Sequence, residues 1–395
     1  MRHLLALGTL GLLMLLPCPS GAQEDMQEAP LLLHVRRLLA SPGCRPAQLT
    51  EALNTGLGRY RRLHQLRWTR DGELLALSTR PEMWTIDELD FWSIDATGNQ
   101  TALGSWQSGI YRSLTFRIME GMAGERMCLF FDDADGHFRG AVQLRQGLPP
   151  MQFTPSPDTL AEVRLWMRPD ALTELQQQPP HELRLLSGEG KVIASGALPG
   201  NMSTIARFGI AYDAPLWRRS GVLFTAQLTA PSADITRWHE TPPCDLTVLR
   251  LLNGAEEWEV VRRFTPASPQ MLPPPDVANL WDYRRMAHPA ATSDGTRVAF
   301  AERIRFHAVW ERACIWRLWV WQEESDTSTL ISTRGEYSGP AGTLELTPGA
   351  GGGVIEQPME IDSWASAGEM TCAFSSDGRT LAYAAGQELH VVALP

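Results

Sequence analysis

One local pattern recurs along this chain and restricts what it can fold into: an apolar run, a tight turn ending in glycine, then a second apolar run. Trp68-Thr69-Arg70-Asp71-Gly72 leads into Leu74-Leu75-Ala76-Leu77. Thr292-Ser293-Asp294-Gly295 leads into Val298-Ala299-Phe300, and Phe374-Ser375-Ser376-Asp377-Gly378 into Leu381-Ala382-Tyr383. Trp217-Arg218-Arg219-Ser220-Gly221 stands in the same way before Val222-Leu223-Phe224. Glycine supplies the positive φ that such a turn needs, so each pair of runs reads as a β-hairpin. A second kind of segment is a short strand, often opened by a charged residue. Asp90-Phe91-Trp92-Ser93-Ile94, Asp245-Leu246-Thr247-Val248-Leu249, Arg317-Leu318-Trp319-Val320-Trp321 and Glu388-Leu389-His390-Val391-Val392 are examples. Most are followed by another turn, such as Asp95-Ala96-Thr97-Gly98 or Asn253-Gly254.

The two kinds alternate. The result is strand, tight turn, strand, longer loop, strand, tight turn, strand: a four-stranded antiparallel meander. The expected fold class is therefore all-β, a β-propeller of six blades, each of four antiparallel strands, over residues 60–395. The second and third blades match least well. Their inner turns would be Trp106-Gln107-Ser108-Gly109 and Arg168-Pro169-Asp170-Ala171.

The turns at Asp71-Gly72, Ser293-Asp294-Gly295 and Ser376-Asp377-Gly378 resemble the core turn of the TolB-like, WD-type propeller repeat. All three lack the proline usual there. The resemblance is strong over three or four blades and implies fold rather than function. TolB itself implies a periplasmic scaffold that binds a partner lipoprotein, but its N-terminal α/β domain has no room before residue 60. Prolyl oligopeptidases use related propellers with a separate hydrolase domain, and no such domain fits in this chain.

The N-terminus reads as a secretory signal over residues 1–22. Arg2 and His3 are followed by an uncharged apolar run at 4–16, and Ser20-Gly21-Ala22 offers small residues for cleavage. Lipidation at Cys18 is the minor alternative, opposed by Pro17. The run is shorter than the roughly 20 residues of a spanning helix, and no later stretch qualifies, so no transmembrane segment is expected. The protein is expected in the periplasm or outside the cell. Residues 23–59 form an N-terminal segment. Within it, 31–39 can supply the strand that closes the ring, because the chain ends at Pro395 directly after a third strand. A short helix packed on one face is the other reading of 31–39.

The formal net charge of −10 argues against nucleic acid as a partner. Cys44, Cys128, Cys244, Cys314 and Cys372 contain no CxxC pair, which leaves zinc and thioredoxin-type sites unsupported. No G-x-S-x-G, H-E-x-x-H or phosphate-binding loop is present. No cofactor, metal or catalytic residue is assigned, and the oligomeric state is left open.

Two segments stand out as a candidate binding site. One holds Trp238, His239 and Glu240; the other holds Arg303, Arg305, His307, Trp310 and Glu311. Both read as long loops, 229–243 and 302–313, between the second and third strands of neighbouring blades, and so as close in space. Aromatic residues and arginine supply much of the energy at binding sites. Plain packing of loop on loop is the competing reading, with a Cys244–Cys314 disulfide as one way to tie the region. A metal held by His239, His307 and a carboxylate lacks ligand spacing. The functional expectation is a non-catalytic binding scaffold for a protein or cell-envelope component. The alternative is a propeller hydrolase or lyase with its site at the central funnel or the loop face.

Overall fold

The computed structural model describes residues 29–56, 62–79, 88–107, 114–120, 126–132, 138–154, 164–166, 182–186, 192–197, 216–218, 221–229, 244–264, 281–308, 310–359, 370–385 and 388–395. Apart from the helix Pro30–Ala40 and a single 3-10 turn at Pro42–Cys44, the elements are β-strands, and nearly all pair antiparallel with their sequence neighbours.

Arg62–Trp68, Leu74–Thr79, Glu88–Ile94 and Gln100–Gln107 form one four-stranded meander. Leu114–Glu120, Arg126–Asp132, Phe138–Arg145 and Leu148–Phe153 form the next. Arg164–Trp166, Glu182–Leu186 and Val192–Ala197 make a three-stranded sheet. A fourth meander comprises Leu216–Arg218, Gly221–Thr229, Cys244–Leu252 and Glu259–Phe264. A fifth comprises Trp281–Ala291, Arg297–His307, Arg312–Gln322 and Thr327–Gly339, and the hairpin Gly342–Pro348 and Val354–Pro358 extends its outer edge. One parallel bridge, Cys244 to Arg285, joins the fourth and fifth. The final sheet pairs Cys372–Phe374, Thr380–Ala385 and Glu388–Ala393 with Glu51–Gly56 from the other end of the chain.

The glycine turns do what their sequence implies. At 375–380 the Gly378 amide donates to Ser375 O (2.9 Å), and Asp377 accepts from the Ser375 hydroxyl (2.6 Å) and the Arg379 amide (3.0 Å). Gly378 has φ +67°, which a side chain would strain. The same bonds recur at 292–297 around Asp294 and Gly295.

Apolar clusters join sheet to sheet. Leu63, Leu66 and Ile94 pack against Ala382, Leu389 and Val391 of the final sheet. On the far side Leu75, Leu77 and Phe91 meet Ile118, Cys128 and Val142. Cys314, Trp316 and Leu318 meet Met370, Phe374, Leu381 and Tyr383. Leu246, Val248 and Phe264 meet Val298, Phe300 and Trp321. Ala197 of the three-stranded sheet exchanges backbone bonds with the fourth meander, donating to Glu256 O (2.7 Å) and accepting from the Trp258 amide (2.9 Å).

Three sequence expectations change. The strand at 31–39 is instead part of the helix Pro30–Ala40. Pro30 pre-sets the first turn, and Leu31, Leu32, Val35 and Leu39 recur at helical spacing and are all buried. The strand that joins the last sheet lies further on, at Glu51–Gly56. Trp106 is not in an inner turn but in the outer strand Gln100–Gln107, paired with Leu89. Residues 168–171 lie outside the described residues.

Candidate functional site

Among the described strands those of the fifth meander are the longest, and Arg303, Arg305, His307, Trp310 and Glu311 sit on its overrun. Arg297–His307 and Arg312–Gln322 pair over their full length, so the connection is only 308–311, closed by Ala308 N donating to Glu311 O (2.7 Å). The long loop expected at 302–313 is thus mostly strand. The reason is alternation. Ile304 and Phe306 fall on one face, and Arg303 and Arg305 on the other, which is the two-residue period of a half-buried strand. Ile304, Phe306, Ala313, Ile315, Tyr337 and Leu346 form an apolar surface, and the helix Pro30–Ala40 covers it with Leu31, Leu32, Val35 and Leu39.

Glu311 belongs to that packing. It is buried, its Oε1 accepts from the Tyr337 hydroxyl (2.9 Å), and its Oε2 accepts from the Leu31 amide (3.3 Å). The first amides of a helix have no partner within the helix, and a carboxylate there also meets the positive end of the helix dipole. Burial, then the bond to Glu311, pushes the Tyr337 phenol above its ordinary range, so it stays a donor. A salt bridge from Arg36 to Glu356 pins the helix to the outermost hairpin. Glu311, singled out as a binding residue, is therefore an anchor.

Trp310 stands at the tip of the same turn and is 83% exposed, the most exposed large apolar side chain among the described residues. Its turn is held from below by Glu311.

The other face of the overrun is cationic. Cross-strand register aligns Arg285, Arg303, Trp316 and Arg334 in one row, and Tyr283, Arg305, Cys314, Glu336 and Glu345 in the next. Arg303 is 7% exposed and lies over the Trp316 ring at 4.8 Å. Arg334 is buried with Glu336 at 2.9 Å and Glu345 at 3.6 Å. Burial pushes the Cys314 thiol up to about 12, against the opposing pull of Arg303. Arg305 is half-buried one step along the strand. His307 is paired with Arg312 at the end of the ladder. Neither the row of arginines nor the role of Trp316 was singled out in the sequence, though the spacing of Arg303, Arg305 and His307 already carried the signal.

Trp238, His239 and Glu240 lie outside the described residues. The ends of their connection are placed, however. Thr229 pairs with Cys244, and Cys244 bridges Arg285, so Thr229 and Cys244 lie toward the end of the joined sheet that carries the Trp310 turn. Cys244 and Cys314 are separated by two intervening strands, which at about 4.8 Å per strand puts them well beyond the 7 Å reach of a disulfide. Cys314 is a buried free thiol, as is Cys44. Among the described residues no group of three or more His, Cys, Asp or Glu is placed to hold a metal. No described helix is long and apolar enough to cross a membrane.

No protein-family profile matches the chain, and no curated protein matches it. Solved structures do. The chain is similar to the Nup133 β-propeller domain of Vanderwaltozyma polyspora, with 9% identity, TM-score 0.35, and coverage of 88% of this chain and 98% of that one. It is similar to a gluconolactonase of Xanthomonas campestris, with 10% identity, TM-score 0.26, and coverage of 89% and 96%. It is also similar to the WD40 domain of SCAP from fission yeast, with 9% identity, TM-score 0.26, and coverage of 85% and 72%. These likenesses add nothing to what the sheets themselves display, which is a mostly β chain of successive antiparallel meanders.

Proposed function

We propose that this chain is an exported six-bladed β-propeller that acts as a binding scaffold for a protein or cell-envelope component, in the periplasm or outside the cell. It engages that partner through the overrun end of the 281–339 sheet. The ring reading is supported by the chain of apolar seams. They link the meander of 114–153 to that of 62–107, then to the final sheet, then to the fifth meander and the fourth. Backbone bonds add the three-stranded sheet. In this reading one further seam, between the second meander and the three-stranded sheet, would complete a closed disc of six. Export is supported by the apolar run at 4–16 and the Ser20-Gly21-Ala22 triplet. N-terminal sequencing of secreted protein should read from Gln23, or find it blocked as pyroglutamate. A lipid on Cys18 would replace this reading with membrane attachment.

The observation that carries the binding role is Trp310. A tryptophan 83% exposed on a turn anchored through Glu311 presents a large, rigid contact surface at small entropic cost. The test places a photo-crosslinking side chain at 310 and, as control, at Ser325, in the turn at the opposite end of the same hairpins. A specific adduct from envelope or secreted fractions at 310 and not at 325 is expected. Once that adduct is identified, Trp310→Ala should weaken its binding about tenfold or more, as for a tryptophan hot spot. Equal labelling at both positions, or undiminished binding by the variant, rejects the site.

A further inference from the structure

We propose that the cationic face behind the helix-covered overrun binds an oxyanion, a carboxylate or a phosphate, held by Arg303 beside Trp316. The proposal does not depend on Trp310 meeting a partner, since a small anion binds there whether or not anything docks.

The chain shows how it treats buried arginines that serve the fold. Arg317, on the helix-covered face, pairs with its cross-strand neighbour Glu302 at 2.5 Å and donates to Gly43 O (3.3 Å). Arg334 has Glu336 and Glu345. Arg303 is buried to the same degree, yet no carboxylate of the described residues lies within ion-pair distance of it, and its Nε is buried without an acceptor. Beside it the Trp316 Nε1–H is also buried without an acceptor. These two donors are on cross-strand neighbours of one face. Arg303 reaches the Cys314 thiol, which is only a weak acceptor. A buried charge without a carboxylate beside it is costly, and so is a buried donor without an acceptor.

The stack on Trp316 orients the guanidinium, and the N–H edge that includes Nε has no acceptor at that atom. That edge matches two oxygens of a carboxylate or phosphate in a bidentate pair. The surroundings add positive charge. Arg305 follows Arg303 on the same face, while the acids Glu336 and Glu345 are engaged by Arg334. In a protein of net charge −10, a local excess of arginine on one sheet face is a departure that an anionic ligand accounts for.

The test is titration calorimetry of the full mature chain with inorganic phosphate and, separately, with acetate and succinate, at fixed ionic strength against a chloride control. Saturable binding of phosphate or of a carboxylate is expected, and the arm that responds tells which oxyanion the site takes. Arg303→Met keeps the side-chain volume and removes the charge. It should weaken that binding at least tenfold while melting no lower than wild type in anion-free buffer, because it removes a buried charge that has no carboxylate partner among the described residues. Binding that persists unchanged in R303M overturns the proposal and marks an adventitious ion only. So does a wild-type protein that responds to neither anion, whatever the variant does.

Discussion

At the scale of single residues, a carboxylate buried under the helix and one held in an exposed turn each have a measurable consequence. Glu311 joins the start of the helix to Tyr337 across the fold. Hydrogen bonds to a charged group contribute about 1.5–3 kcal/mol each, so Glu311→Ala should cost about 3 kcal/mol in urea denaturation. Tyr337→Phe, which removes one of the two bonds, should cost less. If E311A leaves stability unchanged, Glu311 is a surface binding residue after all. Asp95 shows the other case. Its carboxylate accepts from the Thr97 hydroxyl (2.7 Å), the Asn99 side chain (2.8 Å) and the Thr97 and Asn99 amides (2.9 Å each). The Thr97 hydroxyl first, then Asn99, pull its pKa from 3.8 to about 2. A depressed carboxyl contributes stability that is fully present above its unfolded pKa, here 3.8, and lost as pH falls through about 2. A carboxyl-carbon NMR titration should place the Asp95 midpoint near that lower value, with the Thr97 and Asn99 amide shifts moving together. A midpoint near 3.8 would show that the turn is not formed in solution.

Among the elements, the helix Pro30–Ala40 supports the overrun of the fifth meander, because among the described residues it is the element that covers the apolar face beyond 304. Gly335 lies directly under the helix. A Cβ there would lie 2.8 Å from Leu39 Cδ1 and 3.4 Å from Val35 Cγ1. Gly335→Ala should therefore destabilise by about 1–3 kcal/mol, the range for overpacking a filled core. Adding Leu39→Ala should then cost less than Leu39→Ala costs in the wild type, since the same methyl group is what clashes. Additive costs would mean that the helix does not sit on the sheet as described. The helix also shows where the sequence was legible and where it was not. Asp-Gly and Asn-Gly turns between apolar runs are local signals, so the hairpins at 68–77, 292–300 and 374–383 follow from them directly. Leu31, Leu32, Val35 and Leu39 carry a helical period too, but a missing last strand nearby made a strand the attractive reading. The overrun was hidden for a different reason. Arg303, Arg305 and His307 look like a charged loop until their partners Trp316, Cys314 and Arg312 are known, and those pairings are non-local. Which of the candidate residues stand exposed and which anchor the fold is likewise a matter of tertiary neighbours, as the contrast between Trp310 and Glu311 shows.

For the molecule as a whole, the joint between Glu51–Gly56 and Glu388–Ala393 is the place where the two ends of the chain meet. His390 Nδ1 lies 2.7 Å from Glu51 and its Nε2 3.3 Å from Glu388, and its ring stacks on Tyr383 at 5.0 Å. Leu53 reaches further. It packs with the cluster between the final sheet and the 62–107 meander, and its Cδ1 fills the space where a Cβ of Gly98 would stand. If the six meanders close into a disc, this joint holds the ring rather than one sheet. Leu53→Pro should then act at a distance, because proline constrains the strand and removes the side chain from the seam. Hydrogen exchange would separate the two cases. In a closed ring, protection should fall in 62–107 and in 281–339, the neighbours on either side of the final sheet, as well as in 372–393. The freed edge of Glu388–Ala393 should also promote self-association, as unpaired edges do. In an open stack of sheets, loss of protection should be confined to 372–393 and the 62–107 seam that Leu53 touches, and 281–339 should exchange as before.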